Sequence, residues 1–188
     1  MAQRRRPTGP THPTAAADRA PGARVLVAYA SKYGSTAEIA RWIGDALTGE
    51  RLRADVRPAA EVGDVAGYDA VVLGSGLYAG HWLRDACRFA RRHREALLGL
   101  PVWLFSSGPL DPVSARYGIE PTREVTRIAE RVHAADHMTF GGRLVDDARG
   151  FLARRLVAQG DGGDFCDPRR IREWALDIAD TVRARPAP

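Results

Sequence analysis

Hydroxyl side chains and the only lysine of the chain occur together in one short stretch, the first loop, which reads Ser31, Lys32, Tyr33, Gly34, Ser35 and Thr36. Hydroxyl and ammonium groups are hydrogen-bond donors that suit phosphate oxygens. A glycine here also lets the backbone come close to a bound group. The stretch therefore predicts a phosphate site, although an ordinary capped helix start would show a similar pattern.

The elements on either side of the first loop support the phosphate interpretation. Residues 25–30 are apolar and partly β-branched, which is typical of a strand buried on both faces. A helical pattern runs from Thr36 to Leu47. Where a strand leads into a helix, the N–H groups of the first turn and the helix dipole both favour an anion.

A second loop, residues 75–82, follows the next buried strand, which is predicted over residues 69–74. Its aromatic residues Tyr78 and Trp82 lie among glycines, and either ring could lie against a flat ligand ring. Gly74, Gly76 and Gly80 are expected to let backbone N–H groups reach the polar edge of that ligand. The alternative is that the aromatic residues only cover the edge of the sheet.

A third loop begins where a third apolar strand, residues 100–105, ends in Ser106, Ser107, Gly108 and Pro109. In open parallel sheets, ligands bind at the carboxyl ends of the strands. The hydroxyl and backbone groups of this loop are therefore expected at the same edge as the first two loops. No general base is evident in these loops. His81 in the second loop is the one titratable side chain expected near the reactive part of a bound ring, so it is the candidate for a catalytic role. The alternative is that it is simply an exposed loop histidine.

The remaining pattern completes an α/β domain. Five apolar segments alternate with helical ones, which predicts a doubly wound parallel sheet with helices on both faces. Further helices are predicted over residues 83–97, 121–132 and 168–183, with Asp167 as the cap of the last. An edge strand is predicted over residues 53–57 and the last strand over residues 136–142.

Composition limits the class of protein. The chain has 188 residues, of which the first 23 are rich in Pro, Thr and Ala and are expected to be disordered. Residues 24–184 suit one domain, with an insertion at about 145–167. The net charge of +5 suggests an acidic protein partner, an anionic substrate or a membrane surface.

Other classes of protein are not indicated. The two cysteines, Cys87 and Cys166, are far apart and have no metal-binding spacing, so no metal site is expected and a reducing cytoplasm fits. No apolar run is long enough to span a membrane, so the protein is expected to be cytoplasmic, or at most peripheral to the membrane. Aromatic residues are not interleaved with the basic ones, so nucleic acid is not an expected partner.

The first loop resembles the phosphate loop of flavodoxins, Ser/Thr-x-Thr-Gly-x-Thr, at Ser31, Gly34 and Thr36, with Tyr33 where Thr is usual. From about Arg24 to Arg183 the chain is similar to the flavodoxin-domain family. Within that family it looks like the branch of the menaquinone-dependent protoporphyrinogen oxidase, on the sequence 80–82 (Gly-His-Trp) and the insertion before the last helix.

The resemblance implies FMN as cofactor and a sheet in the order 2-1-3-4-5. It implies an FMN-dependent oxidoreductase that moves electrons between a porphyrinogen or quinone and an acceptor. The alternatives are an electron carrier that docks onto a protein, and a module that has lost its cofactor. The cofactor-binding residues it implies are Ser31, Lys32, Tyr33, Gly34, Ser35, Thr36, Ser75, Gly76, Leu77, Tyr78, Ala79, Gly80, His81, Trp82, Ser106, Ser107, Gly108 and Pro109.

Overall fold

The computed structural model describes residues 22–108, 120–142 and 166–185. Most of the predicted N-terminal tail, most of the predicted insertion at 145–167, and Pro109 lie outside these ranges. The strands are β1 (Arg24–Ala30), β2 (Arg53–Pro58), β3 (Ala70–Tyr78), β4 (His81–Trp82), β5 (Val102–Ser107) and β6 (Asp136–Phe140). The helices are α1 (Ser35–Gly49), α2 (Arg84–Arg92), α3 (Arg94–Leu98), α4 (Arg123–Val132) and α5 (Pro168–Ala184), with a 3₁₀ turn at Ala59–Glu61.

Five parallel strands form one sheet in the order β2-β1-β3-β5-β6. The sixth strand, β4, is only two residues long and pairs antiparallel with the end of β3. When β4 is left out, the parallel strands follow the predicted order 2-1-3-4-5, so that prediction is confirmed. The carboxyl ends of β1, β3 and β5 therefore lie side by side at one edge.

Each face of the sheet carries its own apolar core. Successive strand residues point to opposite faces, so Leu26 packs in one core and Val27 in the other. Helices α2, α3 and α4 cover the first core, and α1 and α5 cover the second. This double burial explains the nearly continuous apolar strand sequences. Each fully buried Leu or Ile contributes roughly 1.5–3 kcal/mol.

Several element boundaries differ from the sequence predictions. The strand predicted to end at residue 74 continues to Tyr78, and the one predicted to end at residue 105 continues to Ser107. The helix predicted over residues 83–97 is interrupted at His93, whose backbone leaves helical geometry (φ −99°, ψ 12°). The His93 ring is buried against Phe89, with ring centroids 4.8 Å apart. Burial of this imidazole lowers its pKa.

The start of the last helix was predicted correctly. The Asp167 carboxylate accepts hydrogen bonds from the N–H groups of Arg169 and Arg170, at 3.0 and 3.2 Å, and Pro168 occupies the first turn. Among the helices in the described ranges, none combines the length and the apolar character that crossing a bilayer requires.

Gly74 makes room for a side chain of the core, not for a ligand. A Cβ atom at this position would lie 2.0 Å from Cζ of Phe105, so the aromatic ring packs directly on the glycine backbone. The sequence suggested that Gly74 opens the backbone to a bound ring. In the structure the Phe105 side chain, which is fully buried, occupies that space instead.

We expect Gly74→Ala to lower the free energy of unfolding by about 1–3 kcal/mol, because the added methyl group must displace the Phe105 ring. Urea unfolding followed by circular dichroism measures this change. Gly49→Ala is the matched control, since a Cβ there meets nothing within 4 Å and the site is helical. Equal stability of the two variants would contradict the packing argument.

Candidate functional site

The first loop leads from β1 into α1 through a left-handed glycine. Gly34 has φ 92° and occupies the N-cap position, and its N–H donates to the Ser31 hydroxyl at 3.1 Å. The first helical hydrogen bond runs from Glu38 N–H to the Gly34 carbonyl at 3.0 Å. The N–H groups before Glu38 therefore lie outside the intrahelical ladder, at the end of the helix where the dipole is positive.

Thr36 is the buried hydroxyl residue of this turn. The residue is 2% exposed, and its hydroxyl makes no hydrogen bond to any residue in the described ranges. Its Oγ1 lies 3.2 Å from the position that a Cβ on Gly76 would take. A hydroxyl without a partner in the protein is available to donate a hydrogen bond to a ligand. This one lies at a helix N-terminus and beside the second loop, which is the arrangement that an anionic group would satisfy.

The second loop is a tight hairpin between β3 and β4. Its two central residues, Ala79 and Gly80, both have positive φ, 50° and 79°, as a type I′ turn requires. The hairpin pairs Tyr78 with His81 and Leu77 with Trp82. Neighbouring residues of a strand point to opposite sides, so the exposed His81 and the buried Trp82 face in different directions.

Tyr78 connects the second loop to the first. Its ring centroid lies 6.0 Å from that of Tyr33 in an edge-on arrangement. The Lys32 ammonium lies 5.2 Å from the Tyr33 ring centroid and 5.8 Å from that of Tyr78. Contacts of this kind contribute roughly 0.5–1 kcal/mol each at exposed sites. Lys32, Tyr33 and Tyr78 thus form a cluster between the two loops.

Trp82 packs into the protein, so of the two aromatic residues predicted to lie against a ligand ring only Tyr78 remains near the surface. Trp82 is 4% exposed, and its indole N–H donates to the Ser106 hydroxyl at 2.9 Å. The Ser106 oxygen also lies 2.9 Å from Nε2 of His137. Burial lowers the pKa of His137, an effect that nearby Asp136 partly offsets. The fully buried Ser106 hydroxyl therefore stabilises the fold.

Ser75 is likewise used inside the fold. It is fully buried, accepts the N–H of Leu83 at 2.9 Å and donates to the Gly76 carbonyl at 3.1 Å. Leu77 is half-buried against the core on the same face as Trp82. The loops of the site are therefore held from the interior of the protein by Ser75, Leu77, Trp82 and Ser106.

The end of β5 meets the first loop. The Ser107 hydroxyl lies 3.3 Å from that of Ser35, and Ser107 is 6% exposed. Gly108 has φ 119°, and its N–H donates to the Phe140 carbonyl at 2.9 Å. The thiol of Cys166 lies 3.9 Å from the Ser35 hydroxyl and donates to the Gly141 carbonyl at 3.2 Å. The structure thus brings the first and third loops together.

The sequence analysis did not single out Glu124, which holds the hairpin from α4. Its carboxylate accepts the N–H of Trp82 at 2.9 Å and lies 3.5 Å from Nδ1 of His81. No local signal could have found this contact, because the partners are 42 residues apart in the chain.

Within the described ranges, no group of His, Cys, Asp and Glu is arranged to hold a metal ion.

We expect Ser106→Ala to lower the free energy of unfolding by about 1–3 kcal/mol, because it leaves the buried Trp82 N–H without an acceptor. Thermal and urea unfolding measure the loss. Thr126→Ala, which removes an exposed hydroxyl from α4, is the control and should shift stability by roughly 0.5 kcal/mol or less. A Ser106→Ala variant as stable as the control would exclude a structural role for this hydroxyl.

The sequence and fold can be compared with those of known proteins. The model of the flavodoxin domain family matches residues 26–159. No curated protein matches the chain. The fold is similar to that of a point mutant of flavodoxin from Pseudomonas aeruginosa, with 15% identity, a TM-score of 0.58, and coverage of 86% of this chain and 99% of that one.

Two other solved structures are similar. Oxidised flavodoxin 2 from Bacillus cereus shares 22% identity at a TM-score of 0.58, over 85% of this chain and 99% of that chain. The rubredoxin:oxygen oxidoreductase of Desulfovibrio gigas shares 14% identity at a TM-score of 0.59, over 86% of this chain and 36% of that chain. At these identities the structural similarity establishes the fold.

Proposed function

The chain belongs to the flavodoxin-domain family, whose cofactor is FMN, and from that premise we propose that it is an FMN-dependent oxidoreductase. It would move electrons between a small substrate of the porphyrinogen or quinone type and an acceptor. The observation that carries the proposal is the hydroxyl of Thr36, a residue that is 2% exposed. It has no partner among the described residues and lies at the start of α1, opposite Gly76.

The residues at this edge fit the cofactor. The first turn of α1 and the Thr36 hydroxyl supply donors for the phosphate, and the exposed Lys32 supplies positive charge beside them. Ser31 and Gly34 shape the turn. When bound, FMN supplies electron transfer, while the protein supplies binding, orientation and the local electric field.

The second and third loops would frame the remainder of the cofactor. Tyr78 flanks the space beside Gly76, Ser107 meets the first loop at Ser35, and Gly108 lies next to Leu77. Ser75, Trp82 and Ser106 hold these loops in place through their internal hydrogen bonds. His81 is exposed at the hairpin, where its imidazole can exchange a proton with a bound substrate.

Charge supports a carboxylated substrate. The net charge of +5 is carried almost entirely by arginine, and guanidinium groups bind carboxylates in a paired geometry. Porphyrinogens carry such carboxylates. The sequence 80–82 (Gly-His-Trp), on which the resemblance to the protoporphyrinogen oxidase branch rests, forms a hairpin that exposes His81 and buries Trp82.

A simple electron carrier is the second candidate. The observation that favours it is that the similarity covers 99% of the length of two solved flavodoxins. Such a protein would exchange electrons with a redox protein at the same edge. An acidic partner would suit the basic net charge.

Turnover by the purified, FMN-loaded protein distinguishes the two candidates. Oxidation of a porphyrinogen with menadione as acceptor, seen as porphyrin fluorescence with no protein partner added, supports the oxidoreductase. FMN bound without any such turnover supports the carrier. Purified protein that is colourless and releases no heat when FMN is titrated in would contradict both.

We expect Thr36→Val to weaken FMN binding roughly tenfold or more, because a hydrogen bond to a charged phosphate contributes about 1.5–3 kcal/mol. Riboflavin, which lacks the phosphate, should bind the variant and the unchanged protein equally well. Fluorescence quenching measures both affinities. Thr48→Val at the other end of α1 is the control, since its hydroxyl donates only to the Gly44 carbonyl. An undiminished FMN affinity in Thr36→Val would remove the main support for the site.

A further inference from the structure

The Tyr78 side chain folds back over its own strand. A Cβ atom on Gly76 would lie 2.8 Å from Cε2 of Tyr78, which is closer than a Cβ atom normally approaches a neighbouring atom. The glycine is therefore what allows the ring to turn toward the first loop. In this position the residue is half-buried, and its ring contacts the edge of Tyr33.

The Tyr78 hydroxyl shares its location with the hydroxyl of Thr36. The position that a Cβ on Gly76 would take lies 3.4 Å from Oη of Tyr78 and 3.2 Å from Oγ1 of Thr36. Neither hydroxyl makes a hydrogen bond to another residue in the described part of the chain. The hydroxyls of Thr36 and Tyr78 therefore lie close to the same point beside Gly76 without bonding each other. Two groups that donate to one acceptor with several oxygens, such as a phosphate, have this arrangement.

The surroundings of this pair suit an anion. The Lys32 ammonium lies 5.8 Å from the centre of the Tyr78 ring, and the positive end of α1 begins one residue before Thr36. Burial, and to a smaller extent Tyr33, raises the pKa of Tyr78 above its ordinary value of 10.0. The phenol is therefore protonated at neutral pH and can donate a hydrogen bond.

We propose that Tyr78 binds the phosphate of the cofactor through its hydroxyl, as a second-loop partner of Thr36. The inference rests on the proposed function, since the phosphate is that of FMN. It gives Tyr78 a different task from the one its sequence position suggested, which was contact between its ring and the flat part of the ligand. In this arrangement the first loop and the second loop each contribute a hydroxyl group to the phosphate site.

The test compares Tyr78→Phe, which removes only the hydroxyl, with Tyr68→Phe, which makes the same change just before the start of β3, at the opposite end of the strand, where the hydroxyl donates to Asp55. FMN and riboflavin are each titrated into the purified cofactor-free proteins and followed by fluorescence quenching. We expect Tyr78→Phe to bind FMN roughly tenfold or more weakly and riboflavin within about twofold of the unchanged protein. Tyr68→Phe should retain both affinities.

Three results would overturn the assignment. These are an unchanged FMN affinity in Tyr78→Phe, an equal loss of FMN and riboflavin affinity, which would indicate a ring contact or a folding defect, and a phosphate-selective loss of the same size in Tyr68→Phe. In each of them the unchanged protein still binds FMN, so the proposed function stands. If the unchanged protein binds no FMN at all, the proposed function fails, and the role of Tyr78 fails with it.

Discussion

The central strand β3 is the element on which the rest of the structure depends. Its residues from Ala70 to Gly76 are buried, and it hydrogen-bonds to β1 on one side and β5 on the other. The Phe105 ring packs on Gly74, its pairing partner on β3, so a core side chain fills the space beside the central strand. Because β3 extends past the last pairs with both neighbours, its final residues are free to form the hairpin with β4. The site edge is built on that extension.

Polar groups at this edge divide into two kinds. Ser75, Ser106 and Trp82 are buried and hydrogen-bonded within the protein, and a satisfied buried network of this kind fixes local geometry. Thr36 and Tyr78 carry hydroxyls for which the described chain supplies no acceptor. The first kind positions the loops, and the second kind is what the loops present to a ligand. The two kinds have similar residue types, so only their partners distinguish them.

Sequence patterns predicted the fold well because its signals are local. Double burial gives continuous apolar strands, and the Asp167 cap precedes its helix by one residue, so both could be recognised. The extension of β3 could not, since Gly, Ser and Tyr after residue 74 resemble a loop. Which of Tyr78 and Trp82 faces the ligand site depends on how β3 pairs with the strand β4. A strand of two residues is too short to show an alternating pattern in the sequence. The contact of Glu124 with the hairpin joins residues 42 positions apart, and neither stretch of sequence contains a local pattern that predicts it.

The last helix has a consequence for how the protein is made. Helix α5 covers the core face beside α1 with Ile171, Trp174 and Ile178, and Cys166 just before it reaches Ser35 in the first loop. During synthesis the first loop and α1 leave the ribosome early, but α1 covers only part of this side of the sheet until residues 168–184 emerge. The nascent chain therefore cannot complete this core before that point, and premature termination before α5 would leave apolar side chains of the sheet exposed to chaperones.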